Sequence, residues 1–151
     1  MITCQIEKPD YAELLRYMHY QVADSFPYLR GEQRTKGFTD KLYAHADFCI
    51  CRDEGRLIGM IAYYANGEGA NFAYLAQVYV SPDYRREGLC SRMLDLVAQD
   101  VKSKGFQEIR LEVYKYNDYA QHYYTNHGFY TMPDARSETL LMKQTIPHGG
   151  N

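Results

Sequence analysis

Residues 71–104 read NFAYLAQVYVSPDYRREGLCSRMLDLVAQDVKSK. Leu75 to Val80 is apolar and β-branched or aromatic at most positions, which suits a strand. Ser81-Pro82-Asp83 stops it, because a proline cannot donate to a ladder. Leu89, Met93, Leu94, Val97 and Val101 then recur at helical spacing, with Arg92, Asp95, Gln99, Asp100 and Lys102 on the opposite side. Between strand and helix stands Arg85-Arg86-Glu87-Gly88-Leu89-Cys90. The first N–H groups of a helix have no partner within it, and its dipole favours negative charge there, so a glycine and two arginines at this place can receive an anion. The stretch is neither a P-loop nor a dinucleotide fingerprint, since Gly88 lacks the companion glycines of both. An ordinary strand–turn–helix with a solvated arginine pair fits it equally well.

The rest of the chain supplies the frame. Ile2 to Ile6 reads as a first strand, and Pro9-Asp10 opens a helix with Asp10 as N-cap and Leu14, Leu15, Met18 and Val22 as its apolar stripe, ending near Ser25-Phe26-Pro27. Residues 26–37 read as a loop offering Phe26, Tyr28, Arg30, Arg34 and Lys36, each more simply a solvated loop residue than a specificity determinant. Thr39 or Asp40 caps a short helix through Leu42 to His45. Phe48 to Arg52 and Leu57 to Tyr64 are strands joined by a tight turn at Asp53-Glu54-Gly55, the second apolar on both faces and hence central. Asn66-Gly67 marks the turn into the 72–80 strand.

After Gly105 stops the long helix, Glu108 to Tyr114 alternates as a strand and Asn117 or Asp118 caps a helix to about Asn126. Phe129 to Met132 and Thr139 to Ile146 complete the set, with a loop over 133–137 between them. The order β-α-α-β-β-β-α-β-α-β-β predicts an α/β (α+β mixed) fold, a central mixed sheet of about seven strands flanked by about four helices. Strand–helix–strand units at 72–113 and 108–132 invite parallel pairing. Residues 1–146 are expected to form a single domain and residues 147–151 a frayed tail.

With 17 basic and 19 acidic residues, the chain lacks the basic excess that nucleic acid demands as a main partner. No apolar run reaches membrane-spanning length and no signal peptide is visible, so no membrane partner and a cytoplasmic location are expected. Cys4, Cys49, Cys51 and Cys90 show neither Cys-x-x-Cys nor a histidine cluster; buried free thiols are expected and no metal site. Tyrosine is unusually common, 16 against no tryptophan, and many cluster between Tyr114 and Tyr130, which points to a tyrosine-lined cavity or surface there.

Two motifs now stand in order: VYVSPDYRREGLC at 78–90 and LEVYKYNDYAQHYYTNHGF at 111–129. Together they resemble the GNAT superfamily of acyl-CoA-dependent N-acyltransferases, nearest in motif to the ribosomal-protein N-terminal acetyltransferase branch. The resemblance covers nearly the whole chain and is most specific over 75–130. It implies acetyl-CoA as co-substrate and no metal. The family's first motif, Arg/Gln-x-x-Gly-x-Gly/Ala, is met at Arg85 and Gly88 and departed from at Cys90, still a small residue. It implies that main-chain N–H groups of Arg86, Glu87, Gly88, Leu89, Cys90 and Ser91 hold the CoA pyrophosphate, with charge from Arg85 and Arg86. Strand groups of Val78, Tyr79 and Val80 are implied for the pantetheine amides, in the manner of β-augmentation. Asn117 matches the family's CoA-contacting asparagine, although simple N-capping also explains it.

Tyr124 matches the tyrosine implied as general acid for the departing thiolate, and its neighbour Tyr123 reads as packing. The family's strand glutamate is missing from Tyr74-Leu75-Ala76-Gln77-Val78, and Glu112 is the candidate base, with a water relay to Gln77 or a tyrosine as another route. Cys90 lies at the pyrophosphate turn and is not read as a nucleophile. The activity implied is N-acetylation of a primary amine by direct attack in a ternary complex. The alternative, permitted by the missing glutamate, is a catalytically weak CoA-binding or regulatory module. The acceptor is a small-molecule or peptide amine, and the protein a monomer or homodimer.

Overall fold

The computed structural model describes residues 1–66, 71–133 and 136–146. Its strands are β1 (Ile2–Ile6), β2 (Asp47–Asp53), β3 (Arg56–Tyr64), β4 (Phe72–Val80), β5 (Glu108–Tyr114), β6 (Tyr130–Thr131) and β7 (Thr139–Thr145). Its α-helices are α1 (Tyr11–Tyr17), α2 (Glu32–His45), α3 (Leu89–Ser103) and α4 (Asp118–Asn126). The strands form one seven-stranded sheet in the order β1-β2-β3-β4-β5-β7-β6. The expected mixed architecture is therefore present. The 147–151 tail and Gly67 of the Asn66-Gly67 turn lie outside the described residues.

Two apolar clusters sandwich the sheet. On one face Met93, Leu94, Val97 and Val101 of α3 meet Ile58, Ile61, Leu75, Ile109 and Leu111, with Tyr123 and Tyr124 of α4 packed against them. On the other, Leu14, Met18, Val22 and Leu42 meet Ile50, Met60, Ala62 and Tyr79. β3, apolar on both faces, runs through the middle as its composition requires. A bidentate ion pair from Arg52 on β2 to Glu13 on α1, at 2.6 and 2.8 Å, fixes α1 against the sheet. Among the described residues, no helix is long and apolar enough to cross a membrane.

Three expectations need correction. α2 begins at Glu32, not at Thr39 or Asp40, so half of the expected loop is α-helix. Its buried face is built from Thr35, Thr39 and Leu42, and the threonines satisfy their hydroxyls on the carbonyls of Leu29 and Thr35, both at 2.7 Å. A count of apolar residues alone misses such a face. Second, β6 does not pair with β5, because β7 enters between them and pairs antiparallel with both. Third, Cys4 and Cys51 are not free thiols. They stand opposite one another in the β1–β2 register and form a disulfide, while Cys49 and Cys90 are free. The bridge closes a sequence separation of 47 residues, and restricting the unfolded chain that far is worth about 4 kcal/mol.

The first helix reaches the expected end by changing pitch. One π-helical turn (Met18–Val22) buries Met18 and Val22, and a 3₁₀ turn (Ala23–Ser25) follows. The chain then extends at Phe26 and makes a further 3₁₀ turn at Pro27–Leu29, which carries Phe26 and Tyr28 over the middle of the sheet.

Candidate active site

The site starts where β4 leaves β5. These strands pair in parallel only at Phe72↔Glu108, Ala73↔Ile109 and Tyr74↔Arg110. From Leu75 to Val80 the edge of β4 that turns toward β5 has no ladder partner, and unpaired backbone groups seek hydrogen bonds elsewhere. A bulge adds to the divergence. On the other side Ala62 pairs with Gln77 but Tyr63 with Leu75, leaving Ala76 without a partner. The bulge also reverses the alternation. Ala73 and Leu75 face α3, as do Val78 and Val80, whereas Ala76 and Tyr79 face the α1–α2 side.

Two cavities follow this opening. The larger, about 420 Å³, extends from Val78, Tyr79 and Val80 past Arg85, Arg86 and Gly88 to the first turn of α3. The smaller, about 200 Å³, lies between Tyr28, Gln77 and Glu112. Phe26, Val78, Asn117, Ala120 and Tyr124 line both, so the cavities meet at Tyr124. Every residue expected at the cofactor lines the larger cavity except Glu87, which is exposed.

The turn before α3 takes its shape from two left-handed residues, Arg86 at φ 67° and Gly88 at φ 78°. Turns of this kind gather successive N–H groups on one concave side. α3 has no side-chain N-cap, and its first backbone bond runs from Arg92 N–H to the Gly88 carbonyl at 3.1 Å. The preceding N–H groups are therefore left for another acceptor. Arg85 is less free than the sequence suggested: its Nε donates to the Val80 carbonyl at 2.8 Å and its guanidinium stacks on the Tyr79 ring. Cys90 is a free thiol whose pKa is pushed up by burial, so it stays protonated and poorly nucleophilic.

α4 is capped where α3 is not. Asn117 Oδ1 accepts from the Ala120 N–H at 3.1 Å, which leaves its Nδ2 at the junction of the cavities. Tyr124 sits one helical turn beyond Ala120, with its ring edge against Phe129 and Tyr123. Burial raises its pKa above the ordinary phenol value, with Cys90 and Tyr123 adding to the effect, so its hydroxyl holds its proton.

Glu112 points from β5 into the smaller cavity. Its Oε1 accepts from Tyr74 Oη at 2.9 Å and its Oε2 from Thr139 Oγ1 at 2.8 Å, with Arg136 at 3.7 Å. Burial, reinforced by the bond to Glu112, raises the Tyr74 pKa, so Tyr74 remains a donor to the carboxylate.

Sequence reasoning missed several residues here. Tyr123 is more than packing: its hydroxyl lies 3.0 Å from Ser91 Oγ, which in turn lies 2.7 Å from His127 Nε2. His127 Nδ1 is 2.8 Å from the Tyr123 carbonyl, a bond it must donate, so in the neutral ring Nε2 is left to accept from Ser91 Oγ. The signal for this chain was the Tyr123/His127 spacing of four along α4. Phe26 and Tyr28 gave no such signal, because the pitch changes that place them do not follow an apolar period.

The Acetyltransferase (GNAT) family matches residues 11–129. A thialysine N-epsilon-acetyltransferase from Sus scrofa is 33% identical over 111 residues, covering 68% of this chain and 65% of the relative. A GCN5-related N-acetyltransferase 6, chloroplastic, from Arabidopsis thaliana is 30% identical over 76 residues, covering 50% of this chain and 26% of the relative. The chain thus spans between a quarter and two thirds of these relatives. Among solved structures, the ribosomal-protein-S18-alanine N-acetyltransferase of Escherichia coli shares the fold at a TM-score of 0.77 and 21% identity, covering 99% of this chain and 97% of that one. The PaiA N-acetyltransferase of Thermoplasma acidophilum, solved with coenzyme A, superposes at 0.73 with 20% identity, over 95% and 99% of the two chains. With the parted strands and the uncapped α3 turn lying inside the matched segment, the chain belongs to the acetyltransferase (GNAT) family.

Proposed function

We propose that the protein moves an acetyl group from acetyl-CoA to a primary amine by direct attack, with both substrates bound. The observation that carries this is the parting of β4 from β5, which opens an unpaired strand edge leading from the first turn of α3 to Tyr124. The residues fit the co-substrate. N–H groups at the start of α3, with the Arg86 charge, hold the pyrophosphate. The open backbone of Val78 to Val80 pairs with the pantetheine amides. Asn117 Nδ2 donates at the junction, its Oδ1 being taken by the cap. Acetyl-CoA supplies a thioester, an acyl group already activated toward amines.

The remaining chemistry belongs to side chains. Glu112 takes the proton of the incoming ammonium, and Tyr74 and Thr139 hold its carboxylate in place. Tyr124 gives its proton to the departing sulfur, for which a phenol of raised pKa is suited because it is protonated throughout the neutral range. The test is free-thiol release from acetyl-CoA across an amine panel, alongside thermal unfolding with CoA. Absence of stabilisation by CoA would reject the reading. Stabilisation without thiol release on any amine would leave only a CoA-binding module.

Glu112→Gln keeps the shape of the side chain and loses its basicity. At pH 7 kcat/KM is expected to fall about 100-fold. The deficit should narrow as pH rises and the amine loses its proton unaided. A deficit constant with pH would remove Glu112 from the base role.

A further inference from the structure

The hydrogen bonds between α3 and α4 can be followed proton by proton. In the neutral ring His127 Nδ1 donates to the Tyr123 carbonyl at 2.8 Å, and Nε2 accepts from Ser91 Oγ at 2.7 Å. A serine hydroxyl has one proton, so the 3.0 Å bond between Ser91 and Tyr123 is donated by the tyrosine. Both hydroxyl protons therefore run toward Nε2. Ser91 and Tyr123 line the larger cavity, and Ser91 stands in the first turn of α3 among the N–H groups that lack an acceptor. The backbone of that turn offers donors to an anion, whereas its one side-chain hydroxyl has its proton committed elsewhere. The Tyr123 ring, stacked on the imidazole with centroids 4.2 Å apart, holds the chain in place.

One added proton reverses the arrangement. Placed on Nε2, it is donated to Ser91 Oγ, which then accepts from His127 and Tyr123 together and releases its own proton. An anion in the cavity favours this state twice, by taking the released hydroxyl and by opposing the imidazolium charge. The neighbours of the ring do not supply that anion. α3 brings Cys90, whose thiol burial keeps protonated, and, one turn beyond Ser91, the exposed Asp95. α4 brings Tyr123 and Tyr124, phenols whose pKa burial raises. β7 brings the neutral amide of Gln144, which donates to the His127 carbonyl at 2.7 Å. Among the described residues no ion pair joins His127 to a carboxylate. Arg85 and Arg86 line the cavity, so protonation without an anion adds a further positive charge beside them.

Resting on the acetyl-CoA reading, we infer that His127 is a cofactor-positioning residue, which takes up a proton from solvent as the CoA pyrophosphate binds and thereby makes Ser91 a side-chain donor to that pyrophosphate. No covalent bond changes. Because binding takes up a proton, affinity rises as pH falls through the range in which a histidine titrates. Backbone N–H groups and arginines alone carry no such dependence.

Dephospho-CoA is the probe for the pH series. It keeps the pyrophosphate and lacks the 3′-phosphate, a monoester whose own second pKa of about 6 would overlap the effect. Calorimetry at pH 7 in buffers of different ionisation enthalpy should show an uptake of about half a proton or more per ligand. The dissociation constant should weaken about tenfold between pH 6 and pH 8. His127→Gln replaces the imidazole by an amide that does not titrate, and should hold the dissociation constant within about twofold over that range, with proton uptake near zero. Ser91→Ala keeps the histidine but cuts its connection, and should lose most of the same dependence. A merely structural His127 would change the melting temperature and leave the proton count alone. Dephospho-CoA binding without proton uptake overturns the inference, as does a pH dependence that survives both substitutions. Binding of CoA but not of dephospho-CoA overturns it too, since the pyrophosphate would not be the anchor. Absence of stabilisation by either ligand at every pH rejects the acetyl-CoA reading itself, and this inference with it.

Discussion

Gly88→Val is expected to abolish measurable CoA binding while the sheet remains folded. Gly88 holds φ at 78° and caps α3, and a Cβ built on it meets nothing within 4 Å. The protein itself therefore leaves room for a side chain, and two other effects decide the outcome. Left-handed backbone costs an ordinary residue about 1–2 kcal/mol, and more for a β-branched one. A valine also enters the cavity that the pyrophosphate would occupy, and turns away N–H groups whose charge-assisted bonds are worth about 1.5–3 kcal/mol each. Losing two of them weakens binding by a factor of about 100 or more. Thermal unfolding reads this directly. CoA at 100 times its dissociation constant should stabilise the unmodified protein by about 2.7 kcal/mol and the variant by about 0.4 kcal/mol or less. Gly88→Ala, which has the backbone penalty without the bulk, should fall between. An undiminished shift in Gly88→Val would dismiss the pyrophosphate assignment.

Tyr124→Phe should separate binding from chemistry. The ring contacts to Phe129 and Tyr123 survive the change and only the hydroxyl is lost. The dissociation constant for CoA should stay within a factor of about three, while turnover at saturating acetyl-CoA falls by about 10²–10⁴. The direction of the pKa fixes the pH signature. Burial raises the phenol above its ordinary value near 10, so the protonated form needed for donation persists through the neutral range and beyond. Activity should then rise with pH as the amine is freed, with no decline from Tyr124 below about pH 10. Turnover unaffected by the substitution would end the acid role.

The parts of this fold that could be read from sequence share one property: their buried faces are made of apolar residues at a fixed period. β3, β4 up to its bulge and the α3 stripe satisfy it, and the turn between β4 and α3 is announced by Pro82 and Gly88. The first half of α2 fails it because Thr35 and Thr39 are its buried residues. The insertion of β7 between β5 and β6 is a long-range choice that β6, only two residues long, cannot signal.

The candidate site divides in the same way. The larger cavity is lined mostly by residues adjacent in two motifs, and those motifs are visible in the chain. The smaller one depends on contacts between Tyr28 and Gln77, Tyr74 and Glu112, and Thr139 and Glu112, separated by 49, 38 and 27 residues. The disulfide escaped for that reason too, since only the β1–β2 register brings Cys4 opposite Cys51.

Three residue pairs are all that join β4 to β5. A sheet with so short a seam carries an unpaired border in its middle as well as at its rims. Unpaired borders attract other strands, and proteins ordinarily blunt them with charge, proline or a covering element. From Leu75 to Val80 the sequence carries neither charge nor proline, so the cofactor-free protein is expected to be the more aggregation-prone form and CoA to act as its protector. Amide hydrogen exchange would show it, with Leu75 to Val80 exchanging well ahead of β3 in the free protein and slowing on CoA addition. Equal protection of the two strands without CoA would contradict the expectation. The cofactor would then be, besides a reactant, a structural strand that the polypeptide itself does not encode.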